Sequence, residues 1–162
     1  MDVFDFAMKI ELEGKAWYEQ QAERTTEPGL RRILLEMAED EARHYEVFKG
    51  LKEGRGWPET TEETRVLDSA SNFFEELAKK GAPKFPEDEL SAWKELRETE
   101  AKAEAFYREK AAEATDEGAR KALNLIADEE RKHHHLIDNM IEFLTQPQTW
   151  LEDPEWRNAS EF

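Results

Sequence analysis

No cysteine occurs among the 162 residues, which excludes disulfides, thiolate nucleophiles, zinc ribbons and iron–sulfur clusters. Cationic side chains are also scarce: 23 Lys and Arg stand against 39 Asp and Glu, a formal net charge of −16. Such a field repels nucleic acid and anionic lipid surfaces and draws in cations. No apolar run approaches membrane-spanning length, and MDVFDFAMKIELEG at the N-terminus has no basic segment ahead of an apolar core. The expectation is therefore a soluble, cytoplasmic chain with neither a nucleic-acid nor a membrane partner. Strand signals are missing too, with no sustained alternation and no Asn-Gly turn.

What is present is helical periodicity. Four long stretches carry it without an internal proline. They run from about Asp2 to Thr26, from Pro28 to about Glu53, from Pro86 to about Thr115, and from TDEGARKAL to about Thr145. Pro28 suits a first helical turn, and GRGWPETT breaks the second stretch. Between the two pairs, TEETRVLDSASNFFEELAKKG reads as a shorter helix stopped by Gly81. Two hairpins joined by a long crossover with its own helix make an all-α four-helix bundle over residues 1–146. Residues 147–162 hold two prolines together with Trp150 and Trp156. This tail is expected to pack on the bundle or on a second subunit.

The two hairpins repeat each other at a constant shift of 89 residues. Glu11 falls on Glu100, Tyr18 on Tyr107, Arg31 on Arg120, Glu41 on Glu130 and His44 on His133. Duplication alone can serve packing. Yet several apolar positions differ between the halves, such as Met37 against Ile126, whereas the Glu, Tyr and Glu-x-x-His positions agree letter for letter. Residues seven apart return to nearly the same helical angle, so Glu11 lies in line with Phe4 and Tyr18, and Glu100 with Trp93 and Tyr107. Glu41 and His44 share a face with Leu34, Ala38 and Phe48; Glu130 and His133 share one with Leu123, Ala127 and Ile137.

Four carboxylates and two imidazoles thus point into an apolar interior. Left unpaired, they would be costly and would raise one another's pKa. Two divalent cations cancel the four Glu charges, +4 against −4. One Glu from each of two helices with Glu-x-x-His from each of the other two is the donor pattern of di-iron and di-manganese bundles. Mixed carboxylate and imidazole ligation suits iron or manganese over thiolate-seeking metals.

Two segment pairs carry a family resemblance: ELEGKAWYEQQA with EMAEDEARHYEVF, and ETEAKAEAFYREKAA with LIADEERKHHHLI. They resemble the ferritin-like superfamily and, within it, the rubrerythrin-like proteins, over most of residues 7–144. The resemblance implies a ferritin-like bundle in which Glu11, Glu41, His44, Glu100, Glu130 and His133 hold two iron ions, with manganese as an alternative. It implies that the Tyr18 and Tyr107 hydroxyls bond ligating carboxylates, that hydrogen peroxide or dioxygen is reduced, and that the protein is a homodimer. Two departures matter. Full-length rubrerythrins add a four-cysteine rubredoxin domain, so this cysteine-free chain needs an external reductant such as a rubredoxin-like protein. Rubrerythrins also carry an extra Glu where this chain has Ala103, the mate of Gly14. A more symmetric six-ligand site with small residues beside it follows, and Glu104 lies one position further round.

Three other functions fit the same residues: ferroxidase or iron handling, oxygenation of an organic molecule, and a metal-free helical interaction module. Oxygenation requires a channel beside Gly14 and Ala103. In the run His133-His134-His135, only His133 has a histidine mate. His134 falls about 100° round the helix, at its edge, and His135 about 200° round, toward solvent.

Overall fold

The computed structural model describes residues 2–56, 63–80 and 87–145. Five helices and no strand form among the described residues: α1 (Val3–Arg24), α2 (Pro28–Lys52), α3 (Val66–Lys80), α4 (Glu87–Glu113) and α5 (Glu117–Thr145). Each corresponds to a stretch with helical periodicity. The Gly81 stop and the tail with Trp150 and Trp156 lie outside the described residues.

Local chemistry sets the helix ends. The Asp2 carboxylate accepts from Asp5 N at 2.8 Å and caps α1. Pro28 opens α2, where its missing N–H costs nothing. Asp116 Oδ2 accepts from Ala119 N at 2.8 Å at the start of α5. The repeated Arg31 and Arg120 do equivalent jobs: Arg31 Nη2 donates to Thr25 O at 2.6 Å, and Arg120 Nη2 to Ala114 O at 2.7 Å. Each arginine thereby holds carbonyls left open where the preceding helix ends, and the two carbonyls are themselves 89 residues apart.

The helices α1 and α2 form one hairpin and α4 and α5 the other, with α1 opposite α4 and α2 opposite α5. α3 crosses one end. It sits close because residue 29 is glycine: a Cβ there would lie 2.6 Å from Phe73 Cδ2.

The core is divided. One apolar cluster, at the α3 end, includes Tyr18, Leu34, Ala38, Phe74, Trp93, Leu96, Leu136 and Ile137. The other includes Ala7, Val47, Phe48, Ala103, Tyr107, Leu123 and Ala127. Along every bundle helix the buried positions pass from one cluster to the other through a polar residue or pair. These are Glu11 in α1, Glu41 and His44 in α2, Glu100 in α4, and Glu130 with His133 in α5, none more than 4 % exposed. A charged layer across the middle of a hydrophobic core opposes folding unless something compensates it.

Candidate metal centre

The six predicted residues meet in that layer. Donor atoms of Glu11, Glu41, His44 and Glu130 lie within 4.8 Å of one another, and so do those of Glu41, Glu100, Glu130 and His133. Metal–oxygen bonds of about 2.0–2.6 Å place opposite ligands about 4–5 Å apart, so each group is compact enough to close on one ion. Glu41 and Glu130 belong to both groups, whereas Glu11 with His44 and Glu100 with His133 belong to one each. The carboxylates common to both groups are therefore those of the Glu-x-x-His pairs, and the α1 and α4 glutamates belong to one group each.

Three buried atoms in the layer have no hydrogen-bond partner among the described residues: Glu41 Oε1, Glu100 Oε2 and His133 Nδ1. His133 Nδ1 and Glu41 Oε1 are 3.1 Å apart but not aligned to bond. Unpaired buried donors and acceptors are rare because they forfeit their hydration. Three of them converging in one group of donors fit a divalent cation.

Each histidine turns Nδ1 toward the layer and Nε2 away from it. Nε2 of His44 lies 3.2 Å from Glu129 Oε1, and Nε2 of His133 lies 2.9 Å from Asp40 Oδ2. An outer carboxylate on the far nitrogen fixes the ring and its tautomer. The pairing is crosswise: α5 holds the histidine of α2, and α2 that of α5. A single arginine joins both carboxylates, Arg43 Nη2 donating to Asp40 Oδ1 at 2.9 Å and to Glu129 Oε1 at 2.7 Å, with Nη1 to Glu129 Oε2 at 3.2 Å. Thr64 Oγ1, ahead of α3, donates to Asp40 Oδ2. Sequence reasoning missed these four residues. Asp40 and Glu129 are 89 apart and precede the two repeated Glu positions, so the shift contained the signal.

The tyrosines also work crosswise. Tyr18 Oη donates to Glu100 Oε1 at 2.5 Å, and Tyr107 Oη to Glu11 Oε1 at 2.7 Å. Burial and the neighbouring carboxylates raise both phenols well above their usual value, so they stay protonated and remain donors.

Without cations, protons balance the layer. Burial raises Glu41 well above the carboxylate range, and the charges of Glu11, Glu130 and Glu100 push the same way. Glu100 is raised by burial and then by Glu130. Burial favours neutral His44, but Glu11, Glu129 and Glu130 outweigh it and raise the ring well above its ordinary value. Burial likewise opposes charge on His133, but Asp40, Glu130 and Glu100 bring it up to about 9. Burial would raise Glu129, yet the His44 and Arg43 bonds pull it down to about 2.

The rest of the histidine run divides as the helix geometry requires, with one correction. His134 is half-buried with Nδ1 3.5 Å from Asp138 Oδ2, as an edge position should be. His135 is half-buried rather than solvated, because Asn139 Nδ2 donates to its carbonyl at 3.0 Å and lies 3.3 Å from its Nε2. Glu104 is not in either donor group; it lies 3.7 Å from Arg108 Nη2.

No helix among the described residues is long and apolar enough to cross a membrane. The family model described as Rubrerythrin matches residues 2–141. No curated protein and no solved structure matches the chain.

Proposed function

The chain belongs to the rubrerythrin family, and on that premise we propose that it is a two-metal oxidoreductase that reduces hydrogen peroxide or dioxygen with electrons from an external donor. The observation that carries this reading is the pair of overlapping four-donor groups sharing Glu41 and Glu130 inside an apolar core. A carboxylate-bridged iron pair supplies two-electron chemistry toward such oxidants.

The residues of the chain have separable roles in the proposal. Glu11, Glu41, His44, Glu100, Glu130 and His133 would hold the two ions, with Glu41 and Glu130 common to both donor groups. Asp40 and Glu129 hold the imidazoles in the neutral-donor orientation through Nε2, and Arg43 bonds both carboxylates and keeps them in place. Tyr18 and Tyr107 fix the Glu100 and Glu11 carboxylates and keep a proton beside each. The apolar clusters on either side exclude bulk water.

Stopped-flow mixing of the diferrous protein with peroxide and, separately, with dioxygen tests the reading. Rapid oxidation by at least one is expected, and indifference to both ends it. Iron retained in the ferric protein marks a cofactor; iron lost to solution marks the handling function instead.

A further inference from the structure

A cavity of about 600 Å³ opens between α1 and α4, on the side of the bundle away from Arg43. It runs from Phe6 to Trp17 along α1, twelve residues or about 16 Å of helix. Its lining repeats the internal symmetry of the sequence. Gly14 and its mate Ala103, Trp17 and its mate Phe106, and Ile10 and its mate Thr99 all line it, each pair 89 residues apart. The cavity therefore lies on the pseudo-twofold axis that also relates the two donor groups.

At Gly14 the cavity comes close to the charged layer. A Cβ added to Gly14 would stand 3.3 Å from Glu41 Oε2, so at that point only backbone separates the cavity from a shared carboxylate. Ala103 forms the matching small patch on α4 beside Glu100. The walls are Ile10, Trp17, Leu96 and Phe106, while Glu13, Glu95 and Lys102 stand exposed and carry charges of both signs. Apolar walls disfavour a charged occupant, and exposed groups of both signs select neither an anion nor a cation. Pockets of about 300–1,000 Å³ take small organic molecules.

From this geometry we propose that the α1–α4 cavity binds a small, neutral, largely apolar organic molecule and seats it against Gly14, next to Glu41. Binding itself is independent of the two-metal reading; only the identity of what the molecule meets beyond Gly14 rests on it.

The probes are 1-hexanol, 1-octanol and 1-decanol, titrated calorimetrically into the full chain. Affinity should rise about fourfold per added methylene, the factor expected for burying one CH₂. Ile10→Trp, which fills the cavity without touching any of the six layer residues, should weaken 1-decanol at least tenfold while leaving metal content unchanged. Thr99→Trp repeats the test from the opposite wall should Ile10→Trp fail to fold. Absence of chain-length dependence overturns the proposal, and would point to a second copy of the chain or to residues 147–162 as the occupant. Equal affinity in the filled variants overturns it as well. In protein loaded with Co²⁺, saturating 1-decanol should shift the visible absorption bands; unshifted bands reject the placement against Glu41. Failure to take up Co²⁺ counts against the two-metal reading alone, because the calorimetric series is read on metal-free protein too.

Discussion

The two sides of the charged layer are built on different principles. On the α2–α5 side, Asp40, Glu129 and Arg43 lock both histidines with charge-assisted bonds, and a cavity of about 250 Å³ there is lined by charged groups including Lys121, Asp128 and Lys132. On the α1–α4 side, two neutral phenols hold the Glu11 and Glu100 carboxylates, and the larger, mostly apolar cavity reaches down to Gly14 and Ala103. One side fixes ligand geometry; the other leaves space beside it. A site that must keep its donors in place while admitting a reactant needs both.

The sharpest way to break this contrast is to remove what both sides serve. Glu41→Ala combined with Glu130→Ala deletes the two shared carboxylates. Metal analysis should then find both ions gone, while circular dichroism should show the helices intact, since the double change also removes buried charge. Next in size, Arg43→Ala should weaken metal binding about 10–100-fold, the usual cost of losing an outer-shell partner, whereas Ile10→Trp on the opposite side should leave the metal affinity as it was. Equal effects from the two variants would erase the distinction between the sides.

Removing metal from the wild type should lower Tm, because binding energy is also folding energy. At a free-metal concentration of about 100 Kd the linkage is about 2.7 kcal/mol for each ion, or about 5–10 °C per ion for a chain of this size. A differential scan with and without chelator measures it.

Proton release gives a further test. In the metal-free protein Glu41, Glu100, His44 and His133 all hold protons above their ordinary range, and ligation requires them deprotonated. Binding must therefore release protons, and affinity must fall as pH drops below about 9, the value to which His133 is raised. An indicator dye during metal titration reads the release; uptake of protons would have the wrong sign. The smallest effect belongs to Tyr18→Phe and Tyr107→Phe. Each removes one bond to the Glu100 or Glu11 carboxylate and should weaken metal binding severalfold, less than Arg43→Ala, in the same titration.

Much of this was legible in the residues alone. The 89-residue shift selected the six layer residues and distinguished His133 from His134 and His135. The start of α2 followed because Pro28 acts locally. What escaped depends on distance across the bundle. Asp40, Glu129 and Arg43 look like solvated helix charges in a chain with 39 acidic residues, and only the approach of α2 to α5 brings Asp40 to His133 and Glu129 to His44 and Arg43. The crosswise tyrosine bonds need the registry of α1 on α4. The cavity beside Gly14 and Ala103 depends on how far those two helices stand apart, which no single helix encodes. His135 was misjudged because Asn139, one turn on, covers it.

The central claim is that the layer is a two-metal site, and metal analysis of protein reconstituted with ferrous iron, read with the optical spectrum of its oxidised form, tests it most directly. Two iron ions per chain and a carboxylate-bridged ferric spectrum are expected. Less than one metal per chain, in a protein whose Tm ignores a chelator, would contradict the account and leave a helical bundle that balances its buried carboxylates with protons.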